Sequence, residues 1–207
     1  MIIGVAGKAR SGKNQFAEYL VTFFKEGFKR EFRFGAFAEV LKNMCMRNFD
    51  LTKDQLWGDK KELIDLRYQK RGEGSNVPAY WTPREIMQAL GAFYRTIDYG
   101  FWVREFDRDY RAGKNPDEII TDTRHINECE YVRKNRGILI KVFRDTNEQI
   151  HGMDHESETA LDDYKDFDIY INNSGTLEEL EQAAFDTVNV ITSIEKYVSE
   201  GGIYHGE

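Results

Sequence analysis

The residues of this 207-residue chain best suited to chemistry lie near its start, where glycines and cations recur at a fixed spacing. Residues 7–13 read Gly-Lys-Ala-Arg-Ser-Gly-Lys, after the apolar run Ile2-Ile3-Gly4-Val5-Ala6. Residues 15–25 repeat apolar positions at helical spacing, so the segment lies between a predicted strand and a predicted helix. Glycines there let backbone N–H groups converge on phosphate oxygens, and the helix dipole adds positive charge. We therefore predict a phosphate-binding loop of the G-x-x-x-x-G-K type; the alternative is a glycine-rich turn with chance spacing.

The loop also bears on metal binding. Lys8, Arg10 and Lys13 place three cations within six residues, and the spacing lets Lys13 reach the β and γ phosphates of a nucleotide. Residue 14 is Asn, where a Ser or Thr hydroxyl ordinarily ligates Mg²⁺. Asn14 and Asp122, at the end of the predicted third strand, are the candidate metal ligands. The alternatives are a metal held through water at Asn14 and a turn or N-cap role for Asp122.

A second group of polar residues lies on one face of a predicted helix. Thr82-Pro83-Arg84-Glu85 combines an N-cap, a first-turn proline and a capping-box glutamate, so the helix begins there. Four positions at i, i+4, i+7 and i+11 form the first face: Arg84, Gln88, Gly91 and Arg95. An apolar stripe at the same spacing lies about 200° away and is expected to face the core: Ile86, Leu90, Phe93 and Ile97.

The first of these faces is unfavourable for a helix unless an anion lies beside it. An arginine in the first turn opposes the helix dipole, and Gly91 costs about 1 kcal/mol relative to alanine. On this interpretation Arg84 and Arg95 hold a phosphate, Gln88 bonds a base edge and Gly91 leaves room for a ring. The alternative is a solvated helix face. Trp81, Tyr94 and Trp102 are candidates for stacking on a base, with the core as their alternative.

The elements that must position these residues alternate between strand and helix. Five strands are predicted, at 2–6, 32–37, 118–121, 138–143 and 167–171. Gly137 is placed as a C′ glycine would be, and Thr176 to Glu179 form a capping box for a long final helix. The alternation predicts an α/β fold, with a five-stranded, mainly parallel sheet flanked by helices.

Residues 52–113 interrupt this alternation with helical patterns. We expect a single domain over 1–207 that carries this segment as an insertion above the carboxyl ends of the strands, where open α/β sheets bind ligands. Arg144 follows the fourth strand, and the segment from 144 to about 160 lacks a strong period, as a mobile lid would. Its arginine would neutralise a transferring phosphoryl group; the alternative is a surface arginine.

Composition excludes several classes of protein. The chain has 29 Lys and Arg against 36 Asp and Glu, a formal net charge of −7, so broad attraction to nucleic acid or anionic membrane is not expected. No apolar run reaches the roughly 18 residues of a membrane span, and the start lacks a secretory signal. Cys45 and Cys129 are expected to be plain thiols, and the four histidines show no ligand spacing. We expect a cytoplasmic protein.

Several separated stretches resemble the viral deoxynucleoside monophosphate kinases, P-loop enzymes related to adenylate and dephospho-coenzyme A kinases. The stretches cover almost the whole chain: residues 7–13, Phe37-Ala38 with Leu41-Lys42, Thr82 to Glu85 through Gln88, Leu90-Gly91 and Arg95, Asp122-Thr123-Arg124 with Asn127-Glu128, His155 with Ser157-Glu158, and Asn173 to Leu177. The chain departs from the family pattern at Asn14-Gln15, where Asp-Thr is more familiar, and at Glu156, where proline is common.

The resemblance implies transfer of the ATP γ-phosphoryl group to a deoxynucleoside monophosphate, with Mg²⁺ bridging the donor phosphates, in a host cytoplasm. It implies a donor site formed by Gly7, Lys8, Ala9, Arg10, Ser11, Gly12, Lys13, Asn14, Gln15, Asn173, Gly175 and Thr176. The acceptor residues would be Phe37, Ala38, Lys42, Trp81, Arg84, Gln88, Arg95 and Trp102. The catalytic set would be Lys13, Arg10, Asp122, Arg124 and Arg144.

Two other functions stay open at this stage, and so does a homodimer. One is a P-loop kinase of another small acceptor, such as dephospho-coenzyme A, in which a ribose hydroxyl accepts the phosphoryl group. The other is a non-catalytic nucleotide-binding module, which the loss of a hydroxyl at Asn14 would favour. The stripe of Arg84, Gln88 and Arg95 suits a nucleoside monophosphate better than either.

Overall fold

The computed structural model describes residues 1–71, 78–144 and 159–200. The chain forms two compact units: Met1–Ala36 together with Gly113–Glu207, and Phe37–Ala112. None of the helices in the described ranges combines the length and apolarity needed to cross a membrane.

The first unit contains a five-stranded sheet in which every pairing is parallel. The strands are β1 (Ile2–Ala6), β2 (Arg33–Gly35), β3 (Glu118–Thr123), β4 (Ile138–Phe143) and β5 (Ile169–Asn172). Their order is β2-β3-β1-β4-β5, with β1 at the centre. The predicted α/β class and the five-stranded parallel sheet are confirmed. The edge strand β2 is shorter than the predicted 32–37.

Seven α-helices occur within the described ranges. They are α1 (Lys13–Phe28), α2 (Glu39–Phe49), α3 (Lys53–Leu56), α4 (Pro83–Ile97), α5 (Phe101–Ala112), α6 (Ile126–Lys134) and α7 (Leu177–Ser199), with a 3-10 turn at Asp59–Glu62. The capping boxes predicted for α4 and α7 are both present: Thr82 accepts from the N–H of Glu85, and Thr176 from that of Glu179. Each satisfies two N–H groups that a helix start leaves without a partner.

The core of the first unit is built around β1. Phe16, Leu20 and Phe24 repeat along α1, are fully buried and pack with Ile3 and Val5 of the sheet. Burial of such a side chain contributes about 2 kcal/mol. Further members of the same cluster come from α7: Leu180, Ala184, Val188 and Ile191. The sheet and α1 are thereby held in a fixed relation, which also fixes the loop between β1 and α1.

The second unit is helical and has its own core. Its buried members are Leu41, Cys45, Leu51, Leu56, Ile86 and Trp102. Helix α2 packs with α4 and α5 in this unit. The core stripe predicted for α4 is wrong in part, because Phe93 and Ile97 are 57% and 71% exposed.

Gly91 explains this rotation of α4. It is buried, although the sequence pattern placed it on the recognition face. A Cβ built on Gly91 would lie 3.3 Å from Leu41 Cδ2, and the Gly91 carbonyl accepts a hydrogen bond of 3.1 Å from Trp102 Nε1. The missing side chain allows α2 and Trp102 to approach, so the buried face is centred between the two predicted faces.

The two thiols are buried and free, as predicted. Burial raises the pKa of Cys45 to about 11 and that of Cys129 to about 12. Neither thiol is therefore ionised at neutral pH.

The end of α6 corrects the role assigned to Gly137. Arg136, with φ 54°, takes the left-handed C′ position, and its N–H donates to the Arg133 carbonyl while that of Gly137 donates to the Val132 carbonyl. This is a Schellman motif with glycine one residue further on. A Cβ on Gly137 would lie 2.6 Å from the Ile2 carbonyl oxygen and 2.7 Å from Val132 Cγ1. Glycine is needed at residue 137 for close packing.

This assignment predicts opposite effects at adjacent positions. Gly137→Ala should lower the free energy of unfolding by about 2 kcal/mol, because the methyl group has no space beside β1. Arg136→Gly should raise it by about 0.5 kcal/mol, because glycine adopts the left-handed conformation without steric cost. Urea unfolding of both variants measures the difference. Greater destabilisation by Arg136→Gly than by Gly137→Ala would return the C′ role to Gly137.

Candidate functional site

The predicted phosphate-binding loop joins β1 to α1. Arg10, with φ 62°, and Gly12, with φ 89°, both adopt the left-handed conformation, and the Ser11 N–H donates to the Lys8 carbonyl at 3.2 Å. A Cβ on Gly12 would collide with Asn173 Nδ2. Only glycine combines this backbone conformation with that approach. Lys8, Arg10 and Asn14 are exposed, whereas Ala9 and Gln15 are half-buried.

The start of α1 differs from those of α4 and α7. Its N-cap is Gly12, which provides no side-chain hydrogen bond, and its first turn contains no acidic residue. Ser11 Oγ in the same loop is buried and has no hydrogen-bond partner within the described residues. Backbone N–H groups at a helix start need acceptors, and an anion provides them. The loop therefore has the chemistry of a phosphate site.

Lys13 is the first residue of α1 and is buried. Its Nζ donates to the Lys8 carbonyl at 3.2 Å, so the ammonium group folds back over the loop. The positive charge of this ammonium group and the positive end of the α1 dipole therefore act on the same region. The arrangement suits the binding of a multiply charged phosphate chain.

Asn173 connects three of the predicted site segments. It is 3% exposed. Its side-chain Nδ2 donates to the Ser11 backbone carbonyl at 2.9 Å, and its backbone carbonyl accepts from Arg144 Nε at 2.7 Å. The loop, the end of β5 and the residue after β4 are thus linked in one chain. Gly175 and Thr176 lie at the start of α7, where Thr176 serves as N-cap.

The end of β3 lies beside the loop, because Thr123 pairs with Ala6 in the sheet. Asp122 is half-buried within β3, and the N-cap of α6 is His125, so the N-cap alternative for Asp122 is wrong. Glu128 Oε2 accepts from the backbone N–H groups of Arg124 at 2.7 Å and His125 at 3.0 Å. This buried glutamate fixes the turn that carries Arg124.

A small cavity of about 30 Å³ lies where the loop meets the ends of β3 and β4. Its lining consists of Ala6, Gly7, Lys8, Thr123, Arg124, Lys141, Leu161 and Asp162. Lys8 Nζ forms an ion pair with Asp162 at 2.9 Å. Sequence reasoning missed Lys141 and Asp162. Lys141 could have been found as a lysine inside the apolar strand Ile138–Phe143. Asp162 lies in a generally acidic stretch, which hides it.

The metal prediction stays a prediction. Asn14 lies on the first turn of α1 and Asp122 near the end of β3. Among the described residues no three His, Cys, Asp or Glu side chains come close enough to form a metal site of their own. An Mg²⁺ ion held mainly by phosphate oxygens and water does not require such a cluster.

The helical unit contains the predicted acceptor residues. Arg84, Gln88 and Arg95 are half-buried and share one face of α4. Arg84 Nε donates to Glu62 of the 3-10 turn. Lys42 Nζ lies 5.1 Å from the centre of the Trp57 ring, and Ala38 is the half-buried N-cap of α2.

Two of the predicted acceptor residues are core residues. Trp102 and Phe37 are each 2% exposed, Trp102 donates to Gly91, and the Phe37 ring lies 4.8 Å from that of Phe106. Almost no ring surface is left for a base to stack on. The core alternative therefore holds for Trp102, and Phe37 belongs with it as a packing residue.

A larger cavity of about 450 Å³ lies in the helical unit. Half-buried Trp81 lines it, with Phe49, Arg67, Tyr68, Gln69, Ile86, Ala89, Leu90 and Phe93. Helical spacing places Ala89 and Phe93 about 140° from the face of Arg84 and Gln88. Trp81 thus lines a cavity on a different side of α4 from the arginine stripe.

Some predicted features lie outside the described residues. They include most of the lid at 144–160, of which residues 145–158 are not described, with His155 and Glu156, and residues 72–77 of the loop within the insertion.

Residues 38–184 match the model of the family described as deoxynucleotide monophosphate kinase. A relative from Acanthamoeba polyphaga mimivirus, provisionally named as such a kinase, is 30% identical over 200 residues, covering 86% of this chain and 91% of that protein. The deoxynucleotide monophosphate kinase of Enterobacteria phage T4 is 32% identical over 122 residues, covering 56% and 49% of the two chains. That of Escherichia phage RB69 is 33% identical over 111 residues, covering 51% and 44%.

The alignments to the two phage kinases thus span about half of each of those proteins, whereas the mimivirus alignment spans nearly all of its relative. The family match includes β3, β4, β5 and the whole of α4. By the family model and by the mimivirus relative, this chain belongs to the deoxynucleotide monophosphate kinase family of phosphotransferases.

Proposed function

We propose that this chain transfers the γ-phosphoryl group of ATP to the 5′-phosphate of a deoxynucleoside monophosphate, yielding the diphosphate and ADP. The observation that carries the proposal is the start of α1, which has no side-chain cap and no acidic residue but does have Lys13 folded over it. A phosphate chain would satisfy its N–H groups. The family membership supplies the class of acceptor. The named relatives are viral, which supports a host cytoplasm as the place of action.

The donor site would be the loop and its neighbours. Backbone N–H groups of residues 7–15 would bind the phosphates, with Lys13 on the β and γ groups. Asn173, Gly175 and Thr176 would border the adenine. Asn14 and Asp122 would hold Mg²⁺ directly or through water, and that ion would neutralise charge on the bridging oxygens.

The acceptor nucleotide would bind to the helical unit, residues 37–112. Arg84 and Arg95 would bind its phosphate, and Gln88 a base edge. Arg84 is paired with the half-exposed carboxylate of Glu62. Exposed ion pairs contribute only about 0–1 kcal/mol, so a phosphate dianion can replace that carboxylate. Trp102 and Phe37 would act by packing behind this face.

The reaction requires little covalent work by the protein. Phosphoryl transfer is accelerated by alignment of the attacking and leaving oxygens and by cations placed where charge develops. Lys13, Arg10, Arg124 and Arg144 would supply these cations. Arg144, held by the Asn173 carbonyl, would belong to a lid at 144–160 that excludes water, because water would otherwise accept the phosphoryl group.

Coupled ADP release with ATP and Mg²⁺ tests the proposal directly. The panel comprises the deoxynucleoside monophosphates, AMP, GMP, CMP, UMP and dephospho-coenzyme A. We expect turnover with one or more deoxynucleotides. Turnover with dephospho-coenzyme A alone would indicate the other kinase class. ATP binding without turnover on any acceptor would indicate a binding module.

Lys13→Met should lower kcat at least about 100-fold, because the transferring phosphate loses its principal fixed cation. The unfolding midpoint should change little. Lys25→Met, on the exposed side of the same helix, is the matched control and should keep full activity. A Lys13→Met enzyme with wild-type kcat would contradict the donor site.

Arg84→Ala should raise the KM for the acceptor about tenfold while leaving the KM for ATP unchanged, because a charge-assisted hydrogen bond to the acceptor phosphate is lost. Arg104→Ala is the matched control, since Arg104 is an exposed arginine of the same unit paired with Asp98. Equal effects of the two substitutions on the acceptor KM would remove Arg84 from the acceptor site.

Asn173→Ala should weaken ATP binding about tenfold, because the Ser11 carbonyl loses its buried donor and the loop its anchor. Asn172→Ala is the adjacent control, because the amide oxygen of Asn172 accepts two local hydrogen bonds from Ser174. Titration of each variant with ATP measures the dissociation constant. A weaker complex with Asn172→Ala than with Asn173→Ala would refute the anchoring role.

A further inference from the structure

Lys141 is a charged residue inside a strand whose neighbours are fully buried. Ile140 and Val142 have no exposed surface and belong to the core cluster that contains Phe16 and Leu20. Side chains alternate along a strand, so Lys141 extends on the other face of the sheet. It pairs in register with Ala6, the residue directly before the phosphate-binding loop. The strand thereby places an ammonium group beside the beginning of that loop.

The ammonium group of Lys141 is held at the cavity rather than released to solvent. Nζ donates to the Leu161 carbonyl at 3.0 Å and lies 5.3 Å from the centre of the Phe167 ring. An ammonium group has three N–H donors, and the Leu161 carbonyl uses one of them. Burial lowers the pKa of Lys141, against the opposing attraction of Asp162. A buried ammonium group with further N–H donors favours an anionic partner.

Ammonium groups outnumber carboxylates in the described lining of this cavity. Lys8 and Lys141 line it, and Asp162 is the one carboxylate among the described residues that do so. In the Lys8–Asp162 ion pair the side chain of Lys8 is 43% exposed and that of Asp162 is 44% exposed. Such a pair contributes only about 0–1 kcal/mol, so Asp162 is readily exchanged for a stronger anion.

The size of the cavity limits what it can take. A volume of about 30 Å³ accepts one water-sized group, which corresponds to a single phosphate oxygen. Movement of the exposed Asp162 carboxylate would make room for the rest of a phosphate. Gly7 and Lys8 form one wall, so the oxygen would belong to a phosphate chain bound by the same loop.

We propose that Lys141 binds a phosphate oxygen of the donor nucleotide at this cavity, and that Asp162 is a counter-ion of Lys8 that the nucleotide phosphates replace. The inference rests on the proposed donor site. It adds a cation from the middle of β4 to those of the loop, and it assigns Asp162 an effect opposite in sign to that of Lys141.

Direct titration of the full-length chain with ATP, without acceptor, tests this proposal. Lys141→Met keeps the apolar stem and should weaken binding about tenfold, as loss of a charge-assisted hydrogen bond does. Asp162→Asn keeps the shape and should tighten binding about threefold, because a competing carboxylate is removed. Lys165→Met is the matched control. Lys165 Nζ also donates to a backbone carbonyl of this segment, that of Asp162, but Lys165 is not among the residues that line the cavity. The ATP dissociation constant of Lys165→Met should therefore stay within about twofold of the wild-type value.

The opposite signs separate ligand binding from support of the fold. If Lys141 and Asp162 only stabilised the segment around Leu161, both substitutions would lower the unfolding midpoint and neither would tighten ATP binding. Weaker binding by Asp162→Asn, or an unchanged dissociation constant in Lys141→Met, would overturn the proposal. Asp162 is exposed, so its variant remains informative even if Lys141→Met does not fold.

Failure of this inference is distinguishable from failure of the proposed function. Transfer to a deoxynucleotide by the wild-type chain, with unchanged ATP binding in Lys141→Met, would overturn the role of Lys141 and leave the kinase activity standing. ATP binding that depends on Lys141, without transfer to any acceptor, would support the inference and reject the acceptor assignment.

Discussion

The constraint on which the candidate site depends is the uncapped start of α1. Elsewhere, in α4 and α7, a threonine and a glutamate satisfy the first N–H groups. Gly12 provides no such group, and its left-handed backbone lies against the buried amide of Asn173. The helix start is thus held in place by close packing, and its first N–H groups have no side-chain cap, which is the arrangement that favours an anion. Lys13, folded over the loop, adds a positive charge to the same region.

The order of the strands determines which residues can serve that anion. Because β1 is central and pairs with both β3 and β4, the ends of three parallel strands meet at the loop. Arg124 follows β3 on a turn held by Glu128, Arg144 follows β4, and Lys141 lies within it. Cations that follow the loop by more than 100 positions in sequence are therefore brought to the same edge of the sheet as the loop, as expected where open α/β sheets bind ligands.

In the helical unit, one glycine determines the orientation of α4. Gly91 admits Leu41 and accepts the Trp102 indole N–H, so α4 turns part of its apolar stripe outward, with Phe93 and Ile97 exposed. The face of Arg84, Gln88 and Arg95 is left half-buried beside this contact. Close packing thus accounts for Gly91, which the sequence pattern attributed to a ligand.

The sequence alone predicted the features that depend on local spacing. These are the loop from Gly7 to Lys13, the capping boxes at Thr82 and Thr176, the five parallel strands and the resemblance to the kinase family, since hydrogen-bonding periods and turn chemistry act over a few residues. The contacts of Lys141, Asp162, Gly91 and Gly137 were decided only by the tertiary structure. Each depends on a neighbour at least 11 positions away or on a steric distance to another chain segment, and close packing between segments has no signature in local sequence spacing.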